Sequence, residues 1–127
     1  MTSMLVEFEF RGDICVLRLH GRFATGQDSL YLHTKSEELK TSGYVRVLVD
    51  LAGVDYVDST GIGFLIGIYT SVTKGPSGQF VLVNVNRRVR EVLELTRLAQ
   101  VIQIFPTEAD ALVAIEAGRK SSASQAS

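Results

Sequence analysis

The sequence predicts an α/β fold: a mixed sheet opened by a hairpin, then alternating helices and strands, with about four helices in one domain. Three observations carry this. Val6, Phe8 and Phe10 alternate with Glu7 and Glu9, the period of a half-buried strand. Val45 to Leu51 is a near-continuous apolar run, as expected of a central strand covered on both faces. Beyond it, helical and strand patterns alternate to the end of the chain.

In order, the first strand meets Gly12-Asp13, with Gly first as a tight hairpin turn prefers. Ile14 to Leu19 returns antiparallel, and Gly21 ends that strand. A loop with Gly26 leads to a helix from about Asp28 to Ser42. Its apolar stripe is sparse, Leu32 and Leu39 with Tyr31 alongside, and Gly43 stops it. After the central strand a second helix runs from Ser59 to Thr73. Gly75-Pro76-Ser77-Gly78 is a turn and Phe80 to Val83 a strand. Asn86 to Leu98 forms a third helix, with Val89, Val92 and Leu93 inward. Val101 to Ile104 is a short last strand. Thr107-Glu108-Ala109-Asp110 has the form of a capping box and opens a final helix to about Ala117. Arg119 to Ser127 is polar and Ser-rich, so the domain is placed at residues 1–118 and a disordered tail at 119–127.

Composition narrows the function. The 127 residues suffice for one hydrophobic core, and 46% apolar with 21% charged is ordinary for a globular protein. A net charge of −1 gives no global basic field for nucleic acid or an anionic membrane. No apolar run approaches the roughly 18 residues of a membrane span, and the N-terminus lacks a signal-peptide pattern. Cys15, alone and inside a strand pattern, suits a core position and a reducing cytoplasm. His20 and His33 have no Cys or His at metal-ligand spacing. Asp50, Asp55 and Asp58 lie close enough in sequence to hold Mg²⁺, but carboxylates at strand and helix ends are the plainer account. No metal or cofactor is expected.

The chemistry concentrates in Val57-Asp58-Ser59-Thr60-Gly61-Ile62-Gly63. Adjacent hydroxyls stand at a helix N-terminus, where unpaired N–H groups and the helix dipole tolerate a phosphate. No neighbouring His or Lys activates them, so they suit accepting a phosphoryl group better than attacking a substrate. The plainer alternative is a helix cap contributing about 1 kcal/mol.

Val47-Leu48-Val49-Asp50-Leu51, Val54 and Tyr56 to Gly63 together resemble the STAS family of anti-sigma factor antagonists. Gly21, the Gly75 and Gly78 turn, the Phe80 to Val83 strand, and Val89, Leu93, Leu98, Val101, Ile104 and Phe105 extend the match over roughly Met4 to Ala117. The resemblance implies a STAS-like domain whose unphosphorylated form binds an anti-sigma factor with serine kinase activity and so frees a sigma factor. Phosphorylation would turn binding off. By that pattern Ser59 is the phosphoacceptor and Thr60 the runner-up, with Asp58 and Gly61 as the site's surroundings. One departure stands out. Where the family has an acidic, an apolar and an acidic residue after Gly21, this chain has Arg22-Phe23-Ala24. The same resemblance allows a second reading, a non-catalytic scaffold subunit of a stress-sensing or lipid-transport assembly. Catalysis is not expected: no P-loop, no Gly-x-Ser-x-Gly elbow and no receiver-type acidic pair is present.

The site helix carries a second signal. Ile62, Leu65, Ile66, Tyr69 and Val72 fall on one side at helical spacing, the predicted core face. Thr60, Gly63, Phe64, Gly67, Ile68 and Ser71 fall on the other, and Ser59 to Thr73 holds no charge at all. That suits a partner-binding surface, with Thr60, Gly63, Phe64, Gly67 and Ile68 as its residues, or a contact between copies of the chain. The alternative is that another element of the same fold covers it. The third helix opens Arg87-Arg88-Val89-Arg90, against the helix dipole. Either an acidic partner favours this, or the face is solvated with Arg90 paired to Glu94.

Overall fold

A computed structural model describes residues 5–23 and 29–126, with side chains from residue 30 to residue 119 in the second segment. The expectations for Ala24, Gly26, Asp28 and Ser127 lie outside it. The elements run β1 (Leu5–Arg11), β2 (Ile14–Phe23), α1 (Ser29–Ser42), β3 (Arg46–Val57), α2 (Ser59–Val72), β4 (Gln79–Val83), α3 (Arg87–Leu95), a 3₁₀ turn (Leu98–Gln100), β5 (Gln103–Phe105) and α4 (Glu108–Ala126). The strands stand in the order β1-β2-β3-β4-β5. The β1–β2 pair is antiparallel and the others are parallel. The expected mixed-sheet α/β fold is what forms.

The hairpin closes as its glycine foretells: Gly12 has φ 61° and joins Arg11 to its ladder partner Ile14. The central strands are covered on both faces. Leu17, Val47, Val49 and Leu82 meet Leu32, Leu39, Leu65, Ile68, Val89 and Leu93 of α1, α2 and α3. Val16, Leu48, Val81 and Val83 meet Ala111 and Ile115 of α4. Burial on both faces is why β3 reads as continuous apolar sequence rather than an alternation.

Five boundaries differ from expectation. Strand β2 does not stop at Leu19. Gly21 takes φ 95°, the ladder slips around His20 and again between Gly21 and Arg22, and the strand bends and continues to Phe23. Strand β3 runs on with it to Val57, the partner of Phe23. Helix α3 ends at Leu95 rather than Leu98, because Arg97 turns left-handed at φ 63°. Val101 is then exposed at the turn, and β5 begins at Gln103. Helix α4 continues beyond Ala117 to Ala126, with the Thr107 hydroxyl accepting from the Asp110 N–H at 3.1 Å at its start. Arg119 lies within this helix and pairs with Asp13 of the hairpin turn and with Glu116.

Candidate functional site

The paired extensions of β2 and β3 build the site. The Phe23 carbonyl accepts the Asp58 N–H at 3.1 Å, tying the chain entering α2 to the end of β2. Asp58 is the N-cap: its backbone is extended and its Oδ1 accepts the Thr60 N–H at 2.8 Å. The cap is therefore the aspartate and not either hydroxyl. Ser59 is the first helical residue, is exposed, and its hydroxyl has no hydrogen-bond partner among the described residues. Thr60 is half-buried beside it. Gly61 is buried where the first turn of α2 presses on β2. A Cβ there would lie 2.7 Å from the Phe23 carbonyl oxygen and 2.8 Å from the Phe23 Cβ, too close for any side chain.

Three residues of α2 face opposite to the sequence expectation, while Ile62, Leu65 and Val72 are buried and Gly63 is exposed as expected. Phe64 and Ile68, expected on the partner surface, are 8% and 1% exposed and belong to the core. The Phe64 ring lies 6.2 Å from that of Phe23. Helix α1 packs alongside α2 through Leu32 and Leu39, so an element of the same fold covers that side. Ile66, expected in the core, is 40% exposed instead. Ile62, Leu65 and Val72 are buried as expected, and Tyr69 is half-buried with its ring edge-on to Phe80. What α2 shows to solvent is Ser59, Gly63, Ile66 and Thr70, one stripe at helical spacing and still uncharged.

Grooves flank this stripe. One, of about 440 Å³, lies between α2 and α3 and is lined by Tyr56, Asp58, Ser59, Ile66, Val92 and Thr96 among others. The other, of about 240 Å³, lies between α1 and α2, where Thr60, Gly63 and Gly67 meet His33 and the nearly buried Ser36. A Cβ added at Gly63 or Gly67 would touch nothing within 4 Å among the described residues, so packing among them does not require either glycine. Arg22 lies over the Tyr56 ring, its Cζ 4.2 Å from the centroid. Sequence reasoning placed Arg22 only as a departure and Tyr56 only within the motif, with no role for its side chain, and it missed Thr96 altogether. The signal was the slip at Gly21, which cannot be read without the register.

The remaining candidates have structural roles. Asp50 accepts from Arg18, Asn84 and the Ala52 N–H. Burial alone would raise its pKa, but these hydrogen bonds outweigh that and hold the carboxyl below its ordinary value. Glu9 is lowered by hydrogen bonds from Arg18 and Arg11. Arg18 also reaches Glu108 at 2.9 Å, linking β1, β2, β3 and α4 in one ionic network. Cys15 is fully buried, and burial pushes its thiol up to about 11, which leaves it unreactive near neutrality. No cluster of three or more potential metal ligands occurs among the described residues, and no helix among them is long and apolar enough to cross a membrane.

Fold and site together define a small α/β domain that presents an uncharged helix and an exposed serine at one end of its sheet. The STAS domain family model matches residues 6–111, and the chain belongs to that family. It is similar to the anti-sigma-B factor antagonist of Listeria monocytogenes, 29% identical over 92 residues, which is 69% of this chain and 80% of the relative. It is also similar to the anti-sigma F factor antagonist of Paenibacillus polymyxa, 21% identical over 90% of this chain and 97% of the relative. Among solved structures, the anti-sigma factor antagonist SpoIIAA of Bacillus in its unphosphorylated form superposes with a TM-score of 0.73. That likeness, at 18% identity over 89% of this chain and 97% of the other, bears on the fold.

Proposed function

We propose that this protein is an anti-sigma factor antagonist whose partner is an anti-sigma factor with serine kinase activity, and that phosphorylation of Ser59 turns binding off. The observation that carries this is the state of Ser59. Its hydroxyl is exposed at the first position of α2 and is released from capping, because Asp58 performs that task. It opens the uncharged stripe Ser59, Gly63, Ile66 and Thr70, the surface a partner would cover. The names of the relatives support the same reading. A phosphate there adds about −1.5 to −2 charges. The helix N-terminus tolerates that charge locally, while burial under a partner is penalised.

Among the described residues, the groove that Ser59 lines contains no His, Lys or Cys, and the carboxylate of Asp58 accepts the Thr60 N–H of the helix. This supports a regulatory binding role over catalysis. Two measurements test the reading. Proteins retained by wild type and by Ser59→Asp are identified by mass spectrometry, and the retained kinase is incubated with the protein and ATP and the modified peptide mapped. Modification at Ser59, with loss of the kinase from Ser59→Asp, is expected. Modification only at Thr60 or in residues 119–127, or equal retention by both proteins, overturns it.

A further inference from the structure

We propose that the groove between α2 and α3 docks an acidic segment of the partner protein, recognised by Arg22 and Arg88. This rests on the reading of the Ser59 face as the partner surface and states the chemistry of what it receives. The floor of the groove is apolar, with Ile62, Ile66 and Val92. Its rim is basic. Arg22 lies over Tyr56, which lines the groove. Arg88 stands one helical turn before Val92, and Val92 one turn before the groove-lining Thr96, so the three share a row of α3. Strands β3 and β4 are parallel, so the N-termini of α2 and α3, with Ser59 and Arg88, lie at the same end of the sheet.

Both arginines are exposed and neither makes an ion pair among the described residues. The ion pair formed within α3 is Arg87–Glu91 at 3.5 Å, and the expected Arg90–Glu94 pair does not form. The first turn of α3 thus carries cations with no acidic residue, against its dipole, and of these Arg87 is paired to Glu91 within the helix while Arg88 is not. The carboxylate lining the groove, Asp58, is committed to the Thr60 N–H. An acidic chain with an apolar side chain to insert complements both rim and floor. A nucleic-acid backbone fits less well, since the net charge of the chain is −1 and the floor is apolar.

The test uses the full-length protein and the partner retained by wild type but not by Ser59→Asp, both purified. Kd is measured by calorimetry between about 50 and about 300 mM NaCl, across which exposed charge pairs are progressively screened. Wild type is expected to weaken steeply with salt. Arg22→Glu with Arg88→Glu is expected to lose at least about tenfold at low salt and to flatten the salt dependence. Arg22→Gln, with melting temperatures of all variants, guards against a folding defect in the reversal. Affinity within about twofold of wild type for the double reversal, or no salt dependence in wild type, overturns the acidic dock and leaves the Ser59 switch standing. If the retained protein is not a kinase, the proposed function falls and the same titration still decides the dock. A wild type that retains nothing overturns both.

Discussion

Ser59, Phe64 and Ile66 lie within eight residues of one another, and a few ångströms of helix rotation give them unrelated roles. Ser59 is exposed at a helix start, so Ser59→Asp is expected to change stability by no more than about 1 kcal/mol. Partner affinity should fall at least about tenfold, or about 1.4 kcal/mol. Equal affinity on titration would contradict the switch. Phe64 is 8% exposed against Phe23, so Phe64→Ala should cost about 3 kcal/mol or more in urea unfolding. A change below about 1 kcal/mol would place Phe64 on the surface after all. Ile66 is the contrasting case. At 40% exposure, Ile66→Lys should alter stability by about 0.5 kcal/mol at most, yet remove binding by burying a charge on association.

At the scale of the element, α2 is set by the contacts of its first turn. Asp58 caps it, the Phe23 carbonyl anchors its entry, and Gly61 permits its approach to β2. Gly61→Ala must move either the helix or the strand end, since the obstruction at 2.7 Å is backbone. The expected loss is about 1–3 kcal/mol, with displaced amide resonances at Ser59 and Thr60 in a heteronuclear NMR spectrum. Gly63→Ala, where nothing among the described residues lies within 4 Å, should by contrast raise stability by up to about 1 kcal/mol. A Gly61→Ala protein as stable as wild type, with unmoved resonances, would show that the close approach does not hold in solution.

Across the whole molecule, the network of Arg18 with Glu9, Asp50 and Glu108 joins β1, β2, β3 and α4. Both Asp50 and Glu9 are depressed below their ordinary values in the folded state. Their contribution to stability is therefore complete above the unfolded carboxylate range, about pH 4, and is lost as pH falls through the lower folded values. Arg18→Met removes the cation both carboxylates share. Its stability deficit against wild type should be present at pH 7 and shrink toward pH 3, read from urea midpoints at each pH. A deficit independent of pH would mean that Arg18 acts by packing alone.

Much of this was legible in the sequence because it is local. Alternation in β1, the continuous run in β3, glycine at the hairpin and at Gly43, and Asn86 before α3 each report a backbone requirement met within a few residues. Asp58 to Gly61 at a helix start was legible for the same reason. Which side of α2 faces solvent was not. The whole helix lacks charge, so periodicity alone offers two apolar faces, and the choice falls to α1, whose sparse stripe of Leu32 and Leu39 gives little sign that it covers Phe64 and Ile68. The slip at Gly21 that brings Arg22 and Phe23 to the site was equally hidden. The sequence by itself determined the order of elements and the hydroxyls at the head of α2. Only the tertiary structure decided the exposed face and the placing of Arg22 over Tyr56, because both depend on residues far apart in the chain whose positions are set by strand register and helix packing.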